Sequence, residues 1–231
     1  DLEDASGFGW NIGSIEHDWV KLIEAKNNEL DRLNSIYLNL LSKVEIITGF
    51  GKIIGNNEVE VNGSIIRANK ILIAVGGKSF LPKIKGIDLC INSDQALDLK
   101  ALPKKIVING GGYIALEFAS IFASFGSDVT LIYRGKHILR GFDADISNLI
   151  TEEYIKNNIK ILTETEIISV SKTNHDLLVT LSNNEEIISN EVMFATGRVP
   201  NTNGLGLNEI GIKNGSIGEI IVDKNNQTSI N

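Results

Sequence analysis

Between residues 18 and 44 apolar side chains return every three or four positions, at Val20, Leu22, Ile23, Leu30, Leu33, Ile36, Tyr37 and Leu40, with Lys, Glu and Asn between them. That period draws one apolar stripe along a helix, so the spacing predicts a single long amphipathic helix. The pattern then changes. Residues 44–54, 59–61, 64–66 and 70–75 are short runs rich in β-branched side chains and parted by Gly or Asn, which predicts antiparallel strands with tight turns. Residues 78–86 carry no period and contain Pro82 and Gly86. They read as a connector between two folding units.

Beyond a short helix near 93–99 the element types alternate: strand 105–109, helix 113–125, strand 128–133, helix 143–157, strand 159–162. Strands separated by helices pair in parallel through right-handed crossovers, so the expected fold class is α/β. Residues 166–171, 177–181 and 185–188 then read as a meander that turns at Asn183-Asn184 and leads to a strand over 191–195. A second boundary falls at 197–200.

Composition narrows the function classes. Of the 231 residues 42% are hydrophobic, enough to bury one or two cores. A formal charge of -7 without any Lys/Arg-rich run argues against nucleic acid as a partner. The apolar runs are far too short for a membrane span. Cys90 is the one cysteine, which excludes an internal disulfide and any Cys-pair redox centre made by this chain alone, and marks Cys90 as a buried or loop thiol rather than a nucleophile. His17, His137 and His175 are scattered, so no metal site is expected. Trp10 and Trp19 are expected to anchor packing.

The strongest motif is Gly110-Gly111-Gly112-Tyr113-Ile114-Ala115, directly after an apolar strand and directly before an apolar-periodic helix. That context turns a glycine-rich hexapeptide into a dinucleotide-binding turn: Gly110 permits the bend, Gly112 lets the backbone approach a pyrophosphate, and Ala115 lets helix and strand pack closely. An NAD site commonly ends its second strand in an acidic residue that accepts from the ribose. Here that strand runs into Arg134, with Lys136 and Arg140 in the following loop. A guanidinium can grip a 2′-phosphate but cannot accept a hydrogen bond, so the reading is NADPH. Solvated surface charges are the competing account of the same residues.

These residues, together with Arg32-Leu33-Asn34-Ser35-Ile36-Tyr37, the run from Ile71 to Gly77, and Phe194-Ala195-Thr196-Gly197-Arg198-Val199-Pro200, resemble the flavin-dependent pyridine-nucleotide disulfide reductases over essentially the whole chain. Within that family the likeness is greatest to the members that reduce glutathione disulfide. The resemblance implies a Rossmann-like NADPH-binding domain, 87–198, inserted into a partial FAD-binding domain, 1–86, to which 199–231 returns. It implies NADPH and FAD as cofactors, glutathione disulfide as a small-molecule substrate, a role in thiol redox homeostasis, a cytoplasmic location and a homodimeric parent enzyme.

The same resemblance implies roles position by position. Gly110, Gly112, Tyr113, Ile114, Glu117, Arg134, Arg140 and Gly197 would serve NADPH, with Tyr113 as a gate over the flavin and Glu117 assisting hydride transfer. Gly51, Gly76 and Arg198 would approach FAD, and Tyr37 would contact the disulfide substrate. Gly135 stands where some members have histidine, and Glu29 where some have a second tyrosine. Taken as bare sequence, Tyr37 is equally a half-buried helix residue, Glu117 a solvated one, and Gly51, Gly76 and Arg198 ordinary turn or surface residues. The family's redox Cys pair and acid/base histidine have no counterpart here. The expectation is therefore a central piece of a longer enzyme, with two alternatives: another NADPH disulfide reductase of the same family, or a non-catalytic NADPH-binding fragment.

Overall fold

The computed structural model describes residues 4–11, 13 and 16–230. After a 3-10 turn over Asp4–Phe8 the long helix forms as α1 (Trp19–Leu40). Its start is set by Asp18, whose carboxylate accepts from the Lys21 backbone N–H at 3.1 Å, satisfying one of the unpaired amides of the first turn. That backbone hydrogen bond, helped by the Lys21 charge, lowers the Asp18 pKa. Trp19 alone is buried on this helix. Its indole N–H donates to the Leu99 carbonyl at 2.7 Å, and its ring stacks on Phe122 with centroids 6.0 Å apart. Of the rest of the apolar stripe, Ile23 packs half-buried against the same core, while Val20, Leu22, Leu30, Ile36, Tyr37 and Leu40 stay exposed. Trp10, expected to anchor packing, is instead 71% exposed.

A three-stranded antiparallel sheet follows in the order β1 (Gly51–Gly55), β2 (Glu58–Val61), β3 (Ser64–Arg67). Two strand expectations need correction. Residues 44–50 form no strand, so β1 begins seven residues later than the pattern implied. Residues 70–75 form none either: Ile71 and Ile73 pack against a small core of Ile53, Leu205, Leu207 and Ile212, but no neighbouring backbone among the described residues offers a ladder. The supposed connector over 78–86 also hides a strand. β4 (Gly77–Ser79) pairs antiparallel with β12 (Arg198–Pro200), placing Gly77 opposite Pro200 and Ser79 opposite Arg198.

The alternating region folds almost as its pattern dictates. α2 (Ser93–Ala96) is closed by a capping box between Asn92 and Gln95. β5 (Lys105–Asn109), α3 (Tyr113–Ser124), β6 (Asp128–Ile132), α4 (Ala144–Lys156) and β7 (Lys160–Leu162) come next. With β11 (Glu191–Phe194) the strands make a parallel sheet in the order β11-β5-β6-β7. β8 (Ile167–Lys172), β9 (Leu177–Leu181) and β10 (Glu186–Ser189) form the expected meander as a separate antiparallel sheet.

Alternation along the parallel strands explains the layering, because successive side chains point to opposite faces. Ile106, Ile108, Leu131 and Met193 face Leu116, Ala119 and Phe122 of α3. Their neighbours Val107, Ile132, Val192 and Phe194 face Ile167, Val170, Val179 and Leu181 of the meander. The parallel sheet is thus buried on both sides, helices on one and the antiparallel sheet on the other. Among the described residues no helix is long and apolar enough to cross a membrane.

Candidate functional site

In an open parallel sheet the ligand crevice lies at the carboxyl ends of the strands, where neighbouring connections leave on opposite sides. β5 meets that description. Its chain exits toward β6 through α3, while its other neighbour, β11, arrives from the meander and leaves toward the β4/β12 ribbon. A cavity of about 690 Å³ opens there.

Gly110, Gly111 and Gly112 join β5 to α3 and form its floor. Gly110 has φ +152°, and a Cβ on it would press into the Ala195 carbonyl oxygen, so this bend demands glycine. Gly112 is the N-cap of α3, has no side chain to cap it, and its missing Cβ would meet nothing within 4 Å. The first-turn amides of α3 therefore face open space, a natural cradle for a phosphate. Ala115, fully buried, sits against Gly110 where a larger side chain would separate turn and helix.

Cations edge the same cavity. Arg134 and Arg140 line it, both exposed, and neither forms an ion pair among the described residues. Their loop runs from β6 to the N-cap of α4, Asp143, and is pinned midway: the Ser147 hydroxyl, buried, donates to the Ile138 carbonyl at 2.8 Å. Arg198 enters from the β4/β12 ribbon, its guanidinium donating to the Gly77 carbonyl oxygen. Next to it Gly197 has φ +129° and open space where a Cβ would stand. Against an overall charge of -7, three guanidiniums and a helix N-terminus converge on one opening, with Glu166 as the opposing carboxylate. Tyr113, 59% exposed, stands over it.

The fold thus brings together Gly110, Gly112, Tyr113, Ile114, Arg134, Arg140, Gly197 and Arg198. Four other candidates lie outside the cavity. Glu117 is exposed on α3 one turn beyond Tyr113. Gly51 sits in β1 opposite Val61, where a Cβ would make only ordinary contacts. Gly76, at φ +64°, borders the ribbon, its carbonyl accepting from the Asn201 N–H at 3.0 Å. Tyr37 is 57% exposed on α1, more open than the half-buried position its pattern allowed. Cys90 is buried among the side chains between parallel sheet and meander, and burial first, then the Asp88 and Glu191 charges, push its thiol up to about 12. It is a neutral packed thiol, as expected of a lone cysteine.

Sequence reasoning passed over Tyr133, Phe80, Phe142 and Leu139, all of which line the cavity. Aromatic and aliphatic residues at strand ends carry no signal that separates lining from core. Leu139 adopts φ +55°, a conformation without the Gly or Asn that would advertise it.

The family pattern of the pyridine nucleotide-disulphide oxidoreductases matches residues 4–231. The chain is 44% identical to a chloroplastic/mitochondrial glutathione reductase of Pisum sativum, covering 100% of this chain and 42% of that protein. It is 40% identical to a glutathione reductase of Burkholderia cepacia, covering 99% and 51%. Among solved structures, the HOCl-induced flavoprotein disulfide reductase RclA from Escherichia coli superposes with a TM-score of 0.87 at 31% identity, covering 93% of this chain and 51% of that one. The chain therefore spans about half the length of the relatives it matches. With the fold, the glycine turn and a match over nearly every residue in agreement, the chain belongs to the pyridine nucleotide-disulphide oxidoreductase family.

Proposed function

We propose that this chain is the nucleotide-binding half of an FAD-containing, NADPH-dependent reductase of glutathione disulfide. The observation that carries the reading is the convergence of the uncapped α3 N-terminus with Arg134 and Arg140 on one cavity. The cavity fits the nucleotide: Gly112 leaves room for a pyrophosphate against the helix amides, and two exposed guanidiniums without an ion pair among the described residues would offer bidentate partners to a 2′-phosphate. When bound, NADPH and FAD supply a hydride and its relay toward a disulfide.

The residues around them hold and orient. Gly110, Gly112 and Ile114 would seat the pyrophosphate on the turn, and the open space at Gly197 would let the backbone approach the nucleotide. Tyr113 stands at the opening and would act as its gate when the nucleotide binds. Arg198, held by the Gly77 carbonyl, presents positive charge to the same cavity and would serve the flavin. Glu117 is solvent-facing and open to pairing with a cation from the rest of the enzyme. Gly76 leaves open space beside the ribbon for the flavin nucleotide; Gly51 and Tyr37 are assigned to flavin and substrate on family resemblance alone.

In this reading 87–198 is an NADPH domain inserted between 1–86 and 199–231 of the FAD domain. The apolar side chains left exposed on that outer part, Leu40, Phe50 and Leu72 among them, are covered by the remainder of the longer enzyme, a homodimer of the reducing cytoplasm. The test is turnover by the enzyme that contains this chain. A yellow protein that oxidises NADPH with glutathione disulfide much faster than with lipoamide, and much faster than it oxidises NADH, supports the reading. Preference for lipoamide and NADH assigns the enzyme to another branch, and nucleotide binding without flavin or turnover assigns it to a non-catalytic module.

A further inference from the structure

Gly111 and Gly135 have no backbone reason to be glycine. Neither has the positive φ that demands it, unlike Gly110 in the same turn. What they share is Tyr133. A Cβ on Gly111 would fall 2.5 Å from the Cγ and Cδ2 atoms of the Tyr133 ring, and a Cβ on Gly135 would fall 2.6 Å from its Cε1 and 3.0 Å from its hydroxyl oxygen. Both distances are shorter than carbon atoms tolerate. The half-buried ring therefore spans from the glycine turn to the backbone of the arginine loop, and each end of that span is free of a side chain.

The loop meets Gly111 a second time. The Leu139 N–H donates to the Gly111 carbonyl at 2.6 Å, and the buried Leu139 holds φ +55° to do so. Arg134 directly follows Tyr133, and Arg140 directly follows Leu139. Each arginine thus leaves the backbone one residue after a contact with the middle glycine of the phosphate turn. The Glu164 N–H, donating to the Gly135 carbonyl at 3.1 Å, ties the loop from its other side.

We infer that Gly111, Tyr133 and Gly135 form a clamp that sets the distance between the pyrophosphate turn and the two arginines, making Tyr133 a positioning residue for recognition of a dinucleotide with a phosphorylated ribose. The clamp rests on the NADPH reading above. Tyr133 acts through its ring, which orders the loop before the ligand arrives, so that less conformational entropy is lost on binding. Gly135 supplies the space the ring needs.

The experiment is equilibrium binding of NADPH and NADH, followed by nucleotide fluorescence, to the full chain and to Tyr133→Phe, Tyr133→Ala, Gly135→Ala and the double variant Tyr133→Ala/Gly135→Ala. Tyr133→Phe keeps NADPH affinity. Tyr133→Ala and Gly135→Ala each weaken NADPH by about tenfold, about 1.4 kcal/mol, while NADH changes little. In the double variant Gly135→Ala costs nothing further, because the ring it displaces is already gone; this non-additivity is the signature of direct contact. Additive losses, or an undiminished NADPH preference in Tyr133→Ala, overturn the clamp alone. A wild-type chain that binds both nucleotides equally contradicts the NADPH reading itself, and the inference falls with it.

Discussion

The two sides of this molecule are built from similar amounts of apolar sequence and bury it very differently. Around the parallel sheet, Ile106, Ile108, Phe122, Leu131, Met193 and Phe194 are essentially inaccessible to solvent. Around the three-stranded sheet β1–β3 the core is Ile53, Leu205, Leu207 and Ile212, while Phe50, Ile65 and Leu72 face outward, Leu72 at 89% exposure. In the first region every strand of the parallel sheet has a ladder partner, and both faces of that sheet are covered by other elements of the same chain. In the second, the apolar run over 71–75 lacks even one partner strand among the described residues. Burial follows the availability of partners, not hydrophobicity alone.

That contrast can be broken most forcefully at Phe122, fully buried and stacked on Trp19. Phe122→Ala should cost about 3–5 kcal/mol, read as a lower urea midpoint with unchanged slope. Trp19 fluorescence is the natural probe. A loss under about 1 kcal/mol, within the range of ordinary substitutions, would mean the parallel-sheet core is not the stable part of the chain.

A smaller effect is expected at Cys90, between that sheet and the meander. Its folded pKa is raised from 9.0 to about 12, chiefly by burial, so above about pH 9 the unfolded chain binds fewer protons than the folded one and stability falls as pH rises toward 12. Cys90→Ala should remove that part of the alkaline slope. Denaturation curves at pH 8 and pH 10 that fall equally in both proteins would contradict this burial of the thiol. Smallest of all is Leu72→Ser: in this chain it should change stability by less than about 0.5 kcal/mol and reduce self-association in sedimentation. A substantial loss would show that Leu72, despite its exposure in this chain, is packed after all.

The same contrast governs how much was legible in the sequence. β5 and β9 fall on the expected residues, and α3 and α4 differ only at their capping ends, because amphipathic period and cap chemistry act over a few residues. β4 was invisible: Gly77-Lys78-Ser79 has no strand character, and its partner Arg198–Pro200 lies more than a hundred residues further along the chain, beyond the whole α/β unit. Of the cavity lining, the glycine turn and the arginines could be singled out in the sequence, since a dinucleotide-binding turn has a recognisable order of residue types. Tyr133 could not, because a tyrosine at a strand end looks the same whether it packs on a core or braces a loop.

The central claim is that the cavity reads a ribose phosphate with Arg134 and Arg140. Its most direct measurement is binding of NADPH and NADH to the chain before and after Arg134→Glu. NADPH should weaken by roughly tenfold or more, as for loss of a bidentate charged pair replaced by like charge, while NADH affinity stays within about twofold, under 0.5 kcal/mol. Equal losses for the two nucleotides would show that Arg134 does not touch the phosphate, and would contradict the account.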